Sequence, residues 1–529
     1  MSSTVLARTP RIHRLARATG EWARRRTHLG VLLTAWLGLF LVAAAWSVTT
    51  PVTAAPDEPA HIIKATGVVH GDIYGDDVDG TQVRQFTEIP HAIAIMPFYT
   101  CNMFQPDVTA ACATIDDSNA FAPTTTASTA GLYNPVYSYL VGWPSLFLPG
   151  STAVYAMRLV SALITTFFAG LAVWAASLLP SSRWSAATAV LVATPSVLFL
   201  TGVVTPNALE SATTAAFVAA LVTAVRTRAR GRLLNLLAAV MLVSGVIQVH
   251  TKSLAIVWLG LAVIIVAVWA GWARFRAFLV RPVVLAVVAA VTVSLVLSVW
   301  QTMSTGTLGQ MGNYPGVGTR PIDGFFVMLD RTMEFYPSII AMFGWGDTHP
   351  PQWIQFFYVG IGAALLLAAL LGRARVRAKL AVALSVGSFV LVPAVLQAAS
   401  VTNSGYIWQG RYALGLFVTM AFVAALVASE DLLRMRETTQ RRILGAVVLL
   451  AGTAQSVSLI FALWRQSAGV NAATVTFMLS PSWTPPIGQP AALVVCVLAG
   501  VVFIGVAFAA ITGARPVPRA SARSVAAAV

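Results

Sequence analysis

Twelve apolar runs, each long enough to cross a lipid bilayer, dominate this chain of 529 residues. They lie at about 29–48, 154–178, 185–204, 206–225, 233–249, 254–272, 282–300, 353–371, 380–396, 412–428, 443–463 and 491–511. A helix needs about 20 predominantly apolar residues to span the hydrocarbon core. Charged residues make up 10% of the chain, against about 25% in soluble domains. We therefore predict an all-α polytopic membrane protein with about 12 transmembrane helices, and we expect the first run to remain as an anchor.

Basic residues follow alternate apolar runs, and this spacing predicts the orientation of the chain. With both termini in the cytoplasm, 26 of the 34 Lys and Arg residues fall inside, as the positive-inside rule requires. Of the 19 acidic residues, 14 fall in two long external loops, 50–150 and 301–352. The net charge of +15 therefore reflects topology, and we expect membrane lipid but no nucleic acid as a partner. The predicted domains are a basic tail (1–28), a transmembrane domain that includes both loops (29–511) and a second basic tail (512–529).

The two external loops have different predicted features. The first contains Cys101 and Cys112, the only cysteines outside the membrane, and we expect a disulfide between them in an oxidising exterior. Its apolar stretch from Tyr133 to Pro149 is predicted to lie on the outer surface as a helix that begins at Asn134-Pro135. The second loop begins with a glycine-rich run, 306–318, which we interpret as part of a lid over the membrane edge.

A compact polar motif, Ala55-Pro56-Asp57-Glu58-Pro59-Ala60-His61, follows the first apolar run. Proline is favoured in the first turn of a helix, so a helix should begin here with Asp57 or Glu58 near its N-cap and His61 on its first turn. Carboxylates held at a membrane edge can act as a general base or bind a divalent cation, Mg²⁺ or Mn²⁺. The alternative is an ordinary helix start, because Asp is a common cap.

Further polar residues fall at the predicted outer ends of the helices, whereas the centres of the apolar runs carry essentially no charge. They are Arg158, Asn207, Glu210, His250, Lys252, Trp345, Asp347, Gln409, Arg411 and Tyr412. Secondary transporters usually hold ionisable groups near the bilayer midplane. The observed distribution instead indicates chemistry at the external surface of the membrane.

Several of these residues also have a purely structural interpretation. Lys252 can extend to the outer interface, although a basic residue on the outer side is also a candidate for binding an anion. Arg411 has the same position, and its planar guanidinium suits phosphate. Asn207 and Glu210 can cap and line a helix start. His250 alone is best explained structurally, and the tyrosines of the 133–139 stretch together with Trp143 can form an interfacial aromatic belt.

Four ordered motifs resemble those of one bacterial family of multi-spanning membrane proteins, a domain of unknown function (family 2142). The motifs are Pro56-Asp57-Glu58-Pro59-Ala60-His61, Thr205-Pro206-Asn207-Ala208-Leu209-Glu210, Phe343-Gly344-Trp345-Gly346-Asp347 and Gln409-Gly410-Arg411-Tyr412. The architecture is also similar to the GT-C superfamily of glycosyltransferases, which has an acidic motif in the first external loop. The stretch Tyr133-Asn134-Pro135-Val136-Tyr137-Ser138-Tyr139 is close to the Pro-Pro-Leu-Tyr-Tyr form common in that superfamily, but differs from it.

The resemblance implies an inverting transferase that takes a sugar from a polyprenyl-phosphate donor at the outer face. The acceptor would be an extracytoplasmic glycan of the cell wall or surface, or a glycolipid. Asp57 would be the base, with Glu58 and His61 in support. The phosphate would bind Lys252, Arg411 and Arg158, and the remaining polar residues would contact substrate. The alternatives are a transporter or flippase of lipid-linked saccharide and a non-catalytic envelope assembly protein.

Overall fold

The computed structural model describes residues 10–78, 83–113, 119–305 and 314–514, with side chains from residue 28 onward. In chain order the first helices are α1 (Pro10–Thr49), α2 (Glu58–Val69), α3 (His91–Ala94), α4 (Pro135–Gly142), α5 (Gly150–Ser177), α6 (Ser182–Leu191), α7 (Pro195–Thr201), α8 (Pro206–Arg226), α9 (Gly231–Thr251) and α10 (Ala255–Ala270). They are followed by α11 (Trp272–Leu279), α12 (Pro282–Ser304), α13 (Pro321–Asp330), α14 (Thr332–Ile340), α15 (Trp353–Leu371), α16 (Val376–Ser404), α17 (Leu414–Leu432), α18 (Glu437–Ala468), α19 (Thr474–Leu479) and α20 (Gln489–Gly513).

The predicted all-α polytopic fold is confirmed. Within the described residues, ten helices are long and apolar enough to cross a membrane: α1, α5, α8, α9, α12, α15, α16, α17, α18 and α20. The other two predicted spans are not single helices of membrane-spanning length. The third is a pair, α6 and α7, bent by 61°, and the sixth is α10, which has only 16 residues. All twelve apolar runs are therefore helical.

The bend between α6 and α7 has a local cause in the sequence. Proline disfavours the helical conformation of the residue before it, and Thr194 precedes Pro195. Thr194 has extended backbone, and its side chain accepts a hydrogen bond from the N–H of Val197 at 3.3 Å. This residue therefore ends one helix and caps the next.

The predicted ends of the transmembrane domain differ from the structure at the N-terminus. Helix α1 begins at Pro10, so it extends through most of the predicted tail, and its apolar part is His28–Thr49. At the other end, α20 ends at Gly513. Residues 1–9 and 515–529 lie outside the described residues, as does 306–313 of the glycine-rich run.

Helix α8 is the centre of the bundle, because all of its membrane-length window is buried against other helices. It is rich in Ala and Thr, and small residues allow close packing of helices in membranes. Helices α5, α9 and α17 contact it directly. The start of α8 is therefore surrounded by the ends of several helices, which is where the predicted site residues lie.

The first external loop contains a small sheet that the sequence analysis did not predict. Strands β1 (Asp76–Asp77), β2 (Arg84–Pro90) and β3 (Pro123–Ser128) pair antiparallel in that order. The helix predicted between Tyr133 and Pro149 begins as expected, because the Asn134 side chain accepts the N–H of Val136 at 3.1 Å, but it is shorter, since α4 ends at Gly142. Cys101 and Cys112 form the disulfide that the sequence predicts.

A fully buried lysine ties α2 to this loop. Lys64 donates to the carbonyl oxygens of Gly131, at 2.5 Å, and Ile73, and its Nζ lies 4.8 Å from the centre of the Tyr74 ring. Burial lowers the pKa of Lys64 to about 7, although the Asp72 carboxylate opposes the shift. Since α2 carries the polar motif at its N-terminus, this anchor also fixes where that motif lies.

Candidate functional site

The polar motif is attached to the bundle through a buried ion pair. Arg158, on α5, donates from Nε and a terminal nitrogen to both carboxylate oxygens of Glu58, at 2.7 and 2.6 Å. The terminal nitrogens also donate to the carbonyl oxygens of Ser47, Thr50 and Pro51, at 3.1, 2.7 and 2.9 Å. Both side chains of the pair are fully buried.

This arrangement corrects two of the predicted roles. An arginine has five N–H donors, and Arg158 directs its donors to Glu58 and to the end of α1, so it is not free to bind a phosphate. Glu58 also accepts the N–H of Val204 at 2.9 Å. A carboxylate that is buried and bonded in this way has no path to an acceptor or a metal ion. Glu58 and Arg158 therefore hold the motif in place, and their contacts argue against the predicted roles in catalysis and phosphate binding.

Asp57, the next residue in the chain, has the opposite environment. It precedes α2 in a left-handed backbone conformation, with φ of 62°, and its side chain does not cap the helix. The carboxylate is 47% exposed and forms an ion pair with Arg411. Asp and Asn tolerate this backbone conformation better than most residues. The motif thus presents one carboxylate to solvent and hides the other.

Two cations from distant segments lie beside Asp57. Arg411 is in the short turn before α17, and its guanidinium is 8% exposed. Lys252 directly follows α9, and its Nζ donates to the Asn207 side-chain oxygen at 2.6 Å. The ring of Tyr412 joins them, with its centre 4.5 Å from the Lys252 Nζ and 5.5 Å from the Arg411 guanidinium.

His61 completes this group, which we call the polar cluster: Asp57, His61, Asn207, Lys252, Arg411 and Tyr412. The histidine is buried, and its ring meets the edge of the Tyr133 ring at 5.4 Å. Burial lowers the pKa of His61 to about 4; Asp57 opposes the shift, and Lys252 and Arg411 add to it. The imidazole is therefore neutral at pH 7.

Glu210 lies one helical turn further into α8 than Asn207. It is buried, and one carboxylate oxygen has no hydrogen-bond partner among the described residues. Burial lowers the pKa of Lys252, and the nearby Glu210 carboxylate opposes this shift. Glu210 therefore lies close to Lys252 in the interior of the bundle, and its predicted contact with substrate stays a prediction.

The other predicted site residues mainly hold the external loops. The Trp345 indole donates to the carbonyl oxygen of Thr53 at 3.0 Å, which attaches the second loop to the polar motif. His250 faces the first loop, where its Nδ1 lies 3.1 Å from the Asn134 side-chain nitrogen. Gln409 is exposed, two residues before Arg411. Asp347 forms a buried ion pair, described next.

Arg465, near the end of α18, is a buried residue that the sequence analysis missed. It pairs with Asp347 at 2.8 Å. It also donates to three carbonyl oxygens inside the disulfide loop, those of Asn102, Gln105 and Val108, at 2.6, 3.1 and 2.9 Å. The signal was available, because Arg465 is a basic residue at the outer end of a helix, as Arg411 is.

The structure does not support the predicted divalent-cation site. Within the described part of the chain, no group of three or more His, Cys, Asp and Glu residues is arranged to hold a metal ion. Asp57 and Glu58 are bonded to different arginines. Neither carboxylate is therefore assigned to a metal ion.

This fold and this cluster define a polytopic α-helical membrane protein with a carboxylate and two cations at one end of its bundle. More specifically, the chain belongs to the family described as "Predicted membrane protein (DUF2142)", which matches residues 40–420. The family resemblance seen in the motifs is thereby confirmed.

Two crystal structures of ArnT from Cupriavidus metallidurans are distantly similar to this chain. The apo structure has a TM-score of 0.45, and the structure bound to undecaprenyl phosphate has a TM-score of 0.42. Each is 13% identical, and the alignment covers 91% of this chain and 77% of ArnT. With so low an identity and TM-score, this similarity does not identify the functional site. A comparison with curated proteins finds no match.

Proposed function

We propose that this protein is a GT-C-type glycosyltransferase that moves a sugar from a polyprenyl-phosphate donor to an extracytoplasmic glycan or glycolipid. The observation that carries the proposal is the meeting of Asp57, Lys252 and Arg411, which come from three distant segments. The basic clusters between the helices favour an orientation with both termini in the cytoplasm. The polar cluster then lies at the outer face.

Lys252 and Arg411 are the groups that we assign to the donor phosphate. A sugar phosphodiester carries one negative charge, and the polyprenyl phosphate that leaves carries up to two. Cations held in place around such a leaving group stabilise the charge that develops as the bond breaks. Asn207 and Tyr412 orient the lysine through a hydrogen bond and a ring contact.

Asp57 is the group that we assign as general base. Its carboxylate takes the proton of the acceptor hydroxyl while the acceptor oxygen bonds to the anomeric carbon. The bond from that carbon to the phosphate oxygen breaks, and its electrons stay on the phosphate. A single displacement of this kind inverts the configuration. We assign Gln409, which is exposed and lies two residues before Arg411, to contact with the acceptor.

The test uses membranes that contain the full chain or the Asp57→Asn variant, supplied with several radiolabelled polyprenyl-phosphate sugars. We expect label to reach an acceptor only with the native chain. Asp323→Asn is the matched control, because Asp323, which lies on α13, also pairs with an arginine, Arg320, at 2.6 Å. Full activity of Asp57→Asn would reject Asp57 as the base. No transfer from any donor, with lipid movement across the bilayer, would instead favour a flippase.

A further inference from the structure

The two side chains of the ion pair between Asp57 and Arg411 differ in their exposure to solvent. The Arg411 side chain is 8% exposed, whereas that of Asp57 is 47% exposed. A buried charge without a partner is costly, because it has lost its water. Arg411 therefore needs an anion at all times, but Asp57 can return to water at little cost.

We propose that Asp57 pairs with Arg411 only until the phosphate of the donor replaces it, so that one binding event both positions the donor and releases the base. This inference rests on the proposed function, because it concerns the same site. Without a donor, Asp57 stands in for the phosphate and is held by Arg411. With a donor bound, Asp57 is unpaired and can accept the proton of the acceptor.

The chemistry of the guanidinium supports such an exchange. Carboxylate and phosphate oxygens both accept charge-assisted hydrogen bonds from arginine. Arg411 bonds Asp57 through one terminal nitrogen, and its buried Nε has no hydrogen-bond partner among the described residues. The phosphodiester of the donor has two non-bridging oxygens, as a carboxylate has, and Lys252 adds a second cation that contacts the same Tyr412 ring as Arg411.

Asp57 is also free to leave. Its side chain does not cap α2, so its release breaks no bond of the helix. Its neighbour Glu58 cannot take its place on Arg411, because both of its carboxylate oxygens are bonded to Arg158.

The experiment measures binding of undecaprenyl phosphate to the purified full-length protein in lipid nanodiscs. Asp57→Asn keeps the shape and tolerates the left-handed backbone, but removes the competing charge. We expect it to bind the lipid about fivefold more tightly than the native chain. Arg411→Gln should bind more weakly than the native chain, and Asp323→Asn should bind equally well.

A double variant separates this competition from a general effect of charge. If Asp57 acts through Arg411, the gain from Asp57→Asn must disappear in the Arg411→Gln background. A gain that persists there would overturn the proposal, since removal of any nearby negative charge would then explain it. Unchanged or weaker binding by Asp57→Asn would also overturn it, as would no binding by either protein.

Two further arms identify the ligand and separate this inference from the proposed function. If millimolar inorganic phosphate displaces undecaprenyl phosphate and binds as tightly as the lipid does, the exchange at Arg411 is supported. Its ligand is then free phosphate, which overturns the assignment to a lipid. If Asp57→Asn binds more tightly through Arg411 but the native chain transfers no sugar, the exchange is supported and the glycosyltransferase proposal is wrong.

Discussion

Replacement of Arg158 by methionine should destabilise the protein strongly. The variant removes both hydrogen bonds to Glu58 and leaves that carboxylate buried, with the N–H of Val204 as its remaining partner. It also leaves three backbone carbonyl oxygens at the end of α1 without this donor. Loss of one partner from a buried ion pair costs about 3–5 kcal/mol. We expect the free energy of unfolding to fall by that amount.

The assay is chemical denaturation of the purified protein in mixed micelles. The double variant Glu58→Gln/Arg158→Met removes the stranded charge, and it should recover about 2 kcal/mol of the loss. Arg183→Met is the control, because Arg183 pairs with Glu437 where the two side chains are 44% and 58% exposed; it should have no measurable effect. Equal stability of Arg158→Met and Arg183→Met would refute the reasoning, as would a double variant no better than the single one.

Three more predictions follow from the structure. The pKa of His61 lies at about 4 in the folded protein, against an ordinary value of 6.5, so the unfolded chain binds a proton that the folded chain does not. Stability should therefore fall as pH decreases from 6.5 to 4, and His61→Gln should flatten this dependence in denaturation curves measured across that range. Removal of the disulfide, which joins residues 11 apart, by Cys101→Ser/Cys112→Ser should cost about 3 kcal/mol in the same assay; an unchanged midpoint would contradict this. In whole cells, a membrane-impermeant thiol reagent should label Val317→Cys but not Thr438→Cys, both exposed positions, and the reverse result would invert the proposed topology.

The helices were predictable because each apolar run carries its own signal. The placement of Asp57, Lys252 and Arg411 at one end of the bundle also followed from counting helices along the chain. The difference between Asp57 and Glu58 did not, because it depends on Arg158, which is 100 residues from Glu58. Sequence pattern alone cannot tell which of two adjacent carboxylates a distant arginine will bury.

Other misses have similar physical causes. The sheet in the first loop depends on pairing between β2 and β3, whose register joins Arg84 to Ser128 across the loop. The bend at Thr194 has a local signal in Pro195, which lies within the otherwise continuous apolar run 185–204. Arg465 lies near the end of a helix, as Arg411 does, but its partners are Asp347 and three backbone carbonyl oxygens, which lie 118 to 363 residues away in the chain. The local sequence does not reveal contacts at such separations.

The contacts of Arg465 also set an order for biosynthesis. Its acceptors at Asn102, Gln105 and Val108 lie 363, 360 and 357 residues earlier in the chain. At about 5–20 residues per second, the ribosome needs roughly 20–70 s to reach Arg465 after it has made them. During that interval the disulfide loop has no arginine to organise its carbonyl groups. The first loop can therefore complete its folding only when α18, which lies late in the chain, has been made.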